Sequence, residues 1–233
     1  NVVEPAMSGM GGYGTILIWD TKQQHVRYLN ASGRIPMGVD PDVFRAPTPD
    51  YLQNRTGAKS VSTPGNLHAW EAMGKRYGRL SWSRVFEPAI KLAQEGFVLD
   101  AAGASVIASA FDAFPEHAKR IYGRDGKPIA AGDRLVQQDL ARSFQTIVRS
   151  GPAAFYEGEI GAAVARAVKE AGGFLSPADL KKDRAEWFEP ISIEYRGYEV
   201  FTAAPPANAF DALVRLGMMA ASRSRPRSRN LFM

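Results

Sequence analysis

Cysteine is absent from all 233 residues, which excludes disulfides and thiolate metal ligands together. The absence leaves the compartment open, because an exported protein need not carry disulfides. Histidine is scarce. His25, His68 and His117 lie far apart without helical or paired spacing, so they read as surface or packing residues rather than metal ligands. No cofactor is expected. Long apolar runs are missing: nothing approaches the roughly 18 uninterrupted apolar residues of a membrane-spanning helix. Excess charge is missing from most of the chain. The formal net charge is +5, but Arg223, Arg225, Arg227 and Arg229 carry four of those charges and leave the body at +1. An initiator Met, a basic leader and an apolar signal core are missing from Asn1-Val2-Val3-Glu4-Pro5. The chain is therefore expected to start inside a longer protein, with any targeting segment outside it.

What is present suffices for a core: 45% of the residues are apolar, in a length that suits one large domain or two small ones. Residues 14–19 and 25–29 are β-prone, with Asp20 to Gln24 as a hairpin loop. The first run is nearly all apolar, which predicts a strand buried on both faces. Residues 31–65, rich in Pro, Gly, Asp and Ser, read as a long irregular connection, and such connections are usually functional. Helical spacing follows. Leu67, Trp70, Met73 and Tyr77 share a face closed by Gly78; Ser83 is the expected cap of a helix carrying Phe86, Ile90 and Ala93. A small-residue helix is expected between Asp100 and Phe114. Asp133 is the expected cap for Val136, Leu140, Phe144 and Ile147, and Ile160, Val164, Val168 and Ala171 repeat the pattern. Ser176-Pro177-Ala178-Asp179 combines an N-cap, Pro at N1 and an acid at N3. Residues 191–195 and 198–201 form a second hairpin about Arg196-Gly197. Strands at both ends with helices between them predict an α+β fold. The glycine run Ser8-Gly9-Met10-Gly11-Gly12-Tyr13-Gly14 precedes a strand rather than opening a helix, so it reads as close backbone packing and not as a phosphate loop.

Four stretches, in order, carry a family resemblance: Val2-Val3-Glu4-Pro5 with the glycine run; Ser62-Thr63-Pro64-Gly65 with Arg76 to Trp82; Phe86-Glu87-Pro88-Ala89-Ile90 to Phe97; and Phe155-Tyr156-Glu157-Gly158, Asp179-Leu180 and Tyr195-Arg196-Gly197-Tyr198 through Pro205-Pro206. Together they resemble the large-subunit region of γ-glutamyltranspeptidases over residues 2–206. Residues 207–220 then read as a diverged continuation and 221–233 as an Arg/Ser-rich disordered tail. The resemblance implies an N-terminal-nucleophile hydrolase, an αββα sandwich of which this chain supplies an incomplete part. It implies a self-cutting precursor whose small subunit begins with a Thr nucleophile, and a γ-glutamyl or other acyl amide as substrate. It also implies a small-subunit partner, export to the periplasm or medium, and no nucleic-acid or membrane partner. None of Thr15, Thr21, Thr48, Thr56, Thr63, Thr146 or Thr202 heads the Thr-Thr-His expected at a small-subunit start, so the chain alone is expected to be inactive.

One departure bears on substrate. The family's Arg-Glu-x-Ala-Pro motif, whose Arg holds the substrate α-carboxylate, corresponds here to Ser32-Gly33-Arg34-Ile35-Pro36. Registering on Pro36 puts Ser32 at the Arg position, with Arg34 two residues on as a substitute or a structural ion-pair partner. The substrate-binding candidates are thus Arg34, Ser32 and the adjoining Asn30. The competing readings are a non-catalytic remnant or interaction module, an acylase acting on amides that are not γ-glutamyl, and RNA binding by the Arg/Ser tail.

Overall fold

The computed structural model describes residues 2–5, 8–45 and 51–223. Strands β1 (Gly14–Asp20) and β2 (His25–Ala31) form the expected hairpin, paired from Asp20 with His25 to Gly14 with Ala31. The Asp20 carboxylate accepts from the Lys22 and Gln23 amides and tightens the turn. The long connection follows, and then α1 (Asn66–Tyr77), α2 (Trp82–Glu95), β3 (Phe97–Val98), α3 (Ala101–Ala110) and α4 (Glu116–Tyr122). The short strands β4 (Gly123–Arg124), β5 (Lys127–Pro128) and β6 (Arg134–Leu135) lead to α5 (Gln138–Ser150), α6 (Ala153–Tyr156), α7 (Glu159–Glu170) and α8 (Pro177–Lys182). Strand β7 (Glu186–Phe188) joins the first hairpin to give the sheet order β1-β2-β7, while β8 (Ile191–Tyr195) and β9 (Tyr198–Thr202) pair with each other. The last described element is α9 (Phe210–Arg223), packed on that second hairpin. It includes residues 221–223 of the Arg/Ser segment; the remainder of that segment lies outside the described residues.

Three expectations need correction. Strand β1 is not buried on both faces: its residues alternate, leaving Leu17 41% and Trp19 53% exposed. Among the described residues it is an edge strand, paired on one side with β2. Ser83 does not cap α2; Ser81 does, accepting from the Arg84 amide, so the helix begins one residue before Ser83 with Trp82. Asp133 does not cap α5 either. Its carboxylate accepts from the Ala130 amide in a turn, because Arg134 and Leu135 are drawn into a strand pair with Val98 and Phe97. Gln137 occupies the cap position of α5, but its side chain reaches the Val2 carbonyl instead.

The main core is helical. Leu67, Phe86, Phe144, Ile147, Phe155, Tyr156 and Leu180 are all buried in one cluster drawn from α1, α2, α5, α6 and α8. The Phe86 and Phe144 rings meet edge to face at 5.4 Å, a geometry that adds to the area they remove from water. One face of the β1-β2-β7 sheet lies on α1, where Leu29 and Ala31 pack on Ala69 and Met73. The result is a helical layer over one face of a sheet.

Candidate functional site

The end of β2 and the loop after it are anchored by several hydrogen bonds. Asn30 is 8% exposed, and its Oδ1 accepts from the Tyr28 hydroxyl at 3.3 Å and from the Ser32 amide at 3.0 Å. Its side-chain oxygen is thereby committed to turning the chain out of the strand. Its side-chain nitrogen makes no hydrogen bond among the described residues. Beneath the loop runs Ser62-Thr63-Pro64-Gly65, with the Thr63 amide donating to the Arg34 carbonyl at 2.9 Å. The two segments lie so close that a Cβ at Gly33 would strike the Thr63 carbonyl, and one at Gly65 would strike the Ala31 carbonyl. This is why glycine stands at both positions.

The same floor receives the glycine run. Gly12 offers its carbonyl to the amides of Gly65 and Asn66, and the Asn66 side chain donates to the Gly9 carbonyl at 2.9 Å. Helix α1 has no side-chain cap at Gly65. Its leading amides, which no intrahelical carbonyl can serve, are met from elsewhere. Gly12 serves the first, and the Tyr156 hydroxyl accepts from the His68 amide at 3.2 Å while donating to the Pro64 carbonyl at 3.0 Å. Burial pushes the Tyr156 phenol well above its ordinary value, so it stays a protonated donor. The His68 ring stacks on Tyr156 with centroids 3.5 Å apart, and its Nδ1 lies 2.9 Å from an oxygen of Asp183, a carboxylate only 1% exposed.

Arg34 and Glu186 complete the surface. They form an ion pair at 3.1 Å with side chains 55% and 45% exposed, a class of contact worth about 0–1 kcal/mol. Asn30 at the end of β2 thus anchors the loop that carries Ser32, half-buried, and Arg34, engaged at the surface. Three participants escape sequence reading: Glu186, the Tyr156 hydroxyl and the His68–Asp183 contact. All three act across the chain from residues with no motif to join them. Asp179 was legible as the N3 acid behind the Ser176 cap, and the capping box is present.

The gamma-glutamyltranspeptidase family model matches residues 1–229, beyond the point at which the motif resemblance stops. The glutathione hydrolase proenzyme of Bacillus subtilis (strain 168) is 33% identical over 89% of this chain and 36% of its own length. The acylase ACY 1 proenzyme of Pseudomonas sp. (strain SE83) is 34% identical over 89% of this chain and 39% of its own length. Among solved structures, the gamma-glutamyltranspeptidase of Helicobacter pylori superposes with a TM-score of 0.88 at 26% identity, over 98% of this chain and 68% of that one. The chain spans roughly two fifths of the length of the curated relatives it matches. By fold, motif order and the extent of the family match, the chain belongs to the gamma-glutamyltranspeptidase family.

Proposed function

We propose that this chain supplies the acyl-recognition part of an amide-cleaving enzyme, whose Thr nucleophile comes from another part of the precursor. In that enzyme the Thr attacks the amide carbonyl, the amine departs, and water or an acceptor amine resolves the acyl-enzyme. The observation that carries the reading is the packing of loop 32–37 on Ser62–Gly65, which holds Ser32 and Arg34 at the end of β2. Arg34 would meet a carboxylate, Ser32 would give a neutral hydrogen bond, and the Asn30 amide would add a donor. The chain alone is inactive on this reading, because none of its threonines heads a Thr-Thr-His sequence. Purified chain incubated with a chromogenic γ-glutamyl anilide should match the buffer blank. Turnover that survives repurification overturns this.

The Arg34–Glu186 pair favours a second reading, in which the acyl group is not γ-glutamyl. A guanidinium already facing a carboxylate has less to offer the α-carboxylate of a γ-glutamyl donor, and Ser32 cannot form a charged fork. Two substitutions in the uninterrupted precursor separate the readings. If Arg34 has taken over the motif arginine's role, Arg34→Ala raises KM for γ-glutamyl donors and spares acyl donors without an α-carboxylate. If the substrate is a different acyl amide, Arg34→Ala does little and Ser32→Arg improves γ-glutamyl turnover. Equal effects on both donor types make Arg34 structural.

A further inference from the structure

Loop 32–37 is tied at its near end through the Arg34 carbonyl. Its far end is tied by α8. The Met37 amide donates to Asp179 Oδ1 at 2.8 Å, and the Lys182 ammonium lies 3.2 Å from the Met37 sulfur. Asp179 is 6% exposed, and its other oxygen, Oδ2, accepts from the Ser176 amide at 2.9 Å and the Ser176 hydroxyl at 2.6 Å. The capping box therefore uses Oδ2, and Oδ1 is left for the loop. Ionised, the carboxylate is an acceptor on both sides, which suits donors arriving from two directions. Asparagine would not serve. It has one acceptor oxygen, so its NH2 would face a donor at either Met37 or Ser176.

We propose that Asp179 is a positioning residue for the acyl-recognition loop, coupling the first turn of α8 to the Met37 amide and so fixing the segment that carries Ser32 and Arg34. The functional side of this inference rests on the acyl-recognition role proposed for that loop. The mechanical side does not, because Met37 and Ser176 meet one buried carboxylate whatever the loop binds.

Limited trypsin digestion of the 233-residue chain, read by mass spectrometry, tests the coupling. Arg34–Ile35 is the reporter bond, and Arg196–Gly197 in the β8–β9 turn is the internal control for general loosening. Loss of a hydrogen bond to a charged acceptor should accelerate scission after Arg34 about ten-fold or more over the control in Asp179→Asn. Ser176→Ala weakens the cap but leaves Oδ1 on Met37, so its ratio should stay near wild type. Equal acceleration in both variants, or none in Asp179→Asn, overturns the proposal. If Asp179→Asn does not accumulate folded, the wild-type Met37 amide resonance carries the test. It should follow the titration of a carboxyl group in acid, and a flat response refutes the contact. In the uninterrupted precursor, Asp179→Asn should raise KM for acyl donors more than it lowers kcat. Release of the loop with KM unchanged leaves the coupling standing and sinks the acyl-recognition reading instead.

Discussion

Tyr156→Phe removes one oxygen and tests how α1 is held. The ring would still stack on His68 and meet Phe155 at 5.0 Å, so apolar burial is unchanged. Two hydrogen bonds go: that from the His68 amide and that to the Pro64 carbonyl. The first is in effect a helix cap supplied by a distant residue, and caps contribute about 0.5–2 kcal/mol. The second leaves the carbonyl of a buried residue without its partner, which costs about 1–3 kcal/mol. Together the loss should be roughly 2–4 kcal/mol, or about 5–15 °C in Tm for a domain of this size. Urea unfolding followed by tryptophan fluorescence and circular dichroism gives the measurement, with Cm falling and the slope unchanged. Because burial keeps the phenol protonated, the loss should be the same at every pH up to the ordinary tyrosine range. A change below about 0.5 kcal/mol would mean that the hydroxyl does not cap the helix and that the start of α1 is held by Gly12 alone.

Acid should weaken the chain partly through Asp179. Burial acts to raise its carboxyl, but hydrogen bonds from Met37 and Ser176 and the nearby Lys182 charge outweigh burial and hold it below the ordinary value. A lowered folded value means that this stabilisation is complete above the unfolded carboxyl range, near pH 4, and fades as pH falls through the folded value. The acid limb of the stability curve should therefore flatten in Asp179→Asn. The exposed Leu17 and Trp19 on β1 should make the isolated chain self-associate in sedimentation velocity, and Trp19→Lys should shift it toward monomer; a wild-type monomer, or a profile unchanged by the substitution, means that this face does not associate. Gly65→Ala drives a methyl group into the Ala31 carbonyl and should cost about 1–3 kcal/mol in urea unfolding, whereas a neutral result would contradict the close approach.

Elements with local chemistry were readable from sequence. Ser176-Pro177-Ala178-Asp179 announced α8 because cap, proline and acid all act within four consecutive residues. Arg196-Gly197 announced its hairpin because both residues sit at positive φ, at 55° and 82°. Ser83 and Asp133 misled because good capping residues abound, and the winner is settled by what the neighbouring backbone already pairs with. Strand β1 misled because an apolar sequence reports a wish to be buried and not the presence of something to bury it. At the proposed site, the motif register nominated Ser32 and Arg34, with Asn30 adjoining, and these three are close in sequence. Glu186 lies 152 residues from Arg34 and Asp179 lies 142 from Met37, so no local pattern could join them.

The tyrosine that seals α1 enters the chain 92 residues after Pro64 and 88 after His68, and Asp183 follows His68 by 115. During synthesis at about 5–20 residues per second, the start of α1 therefore waits roughly 5–20 seconds for its partners. Over that interval a 12-residue helix, too short to persist alone, sits beside an apolar hairpin with nothing to complete either. The segment from β1 to α2 should therefore be a client for a holding chaperone while it emerges. Ribosome-bound chains halted after α2 should be captured by one, while chains halted beyond β7 should escape.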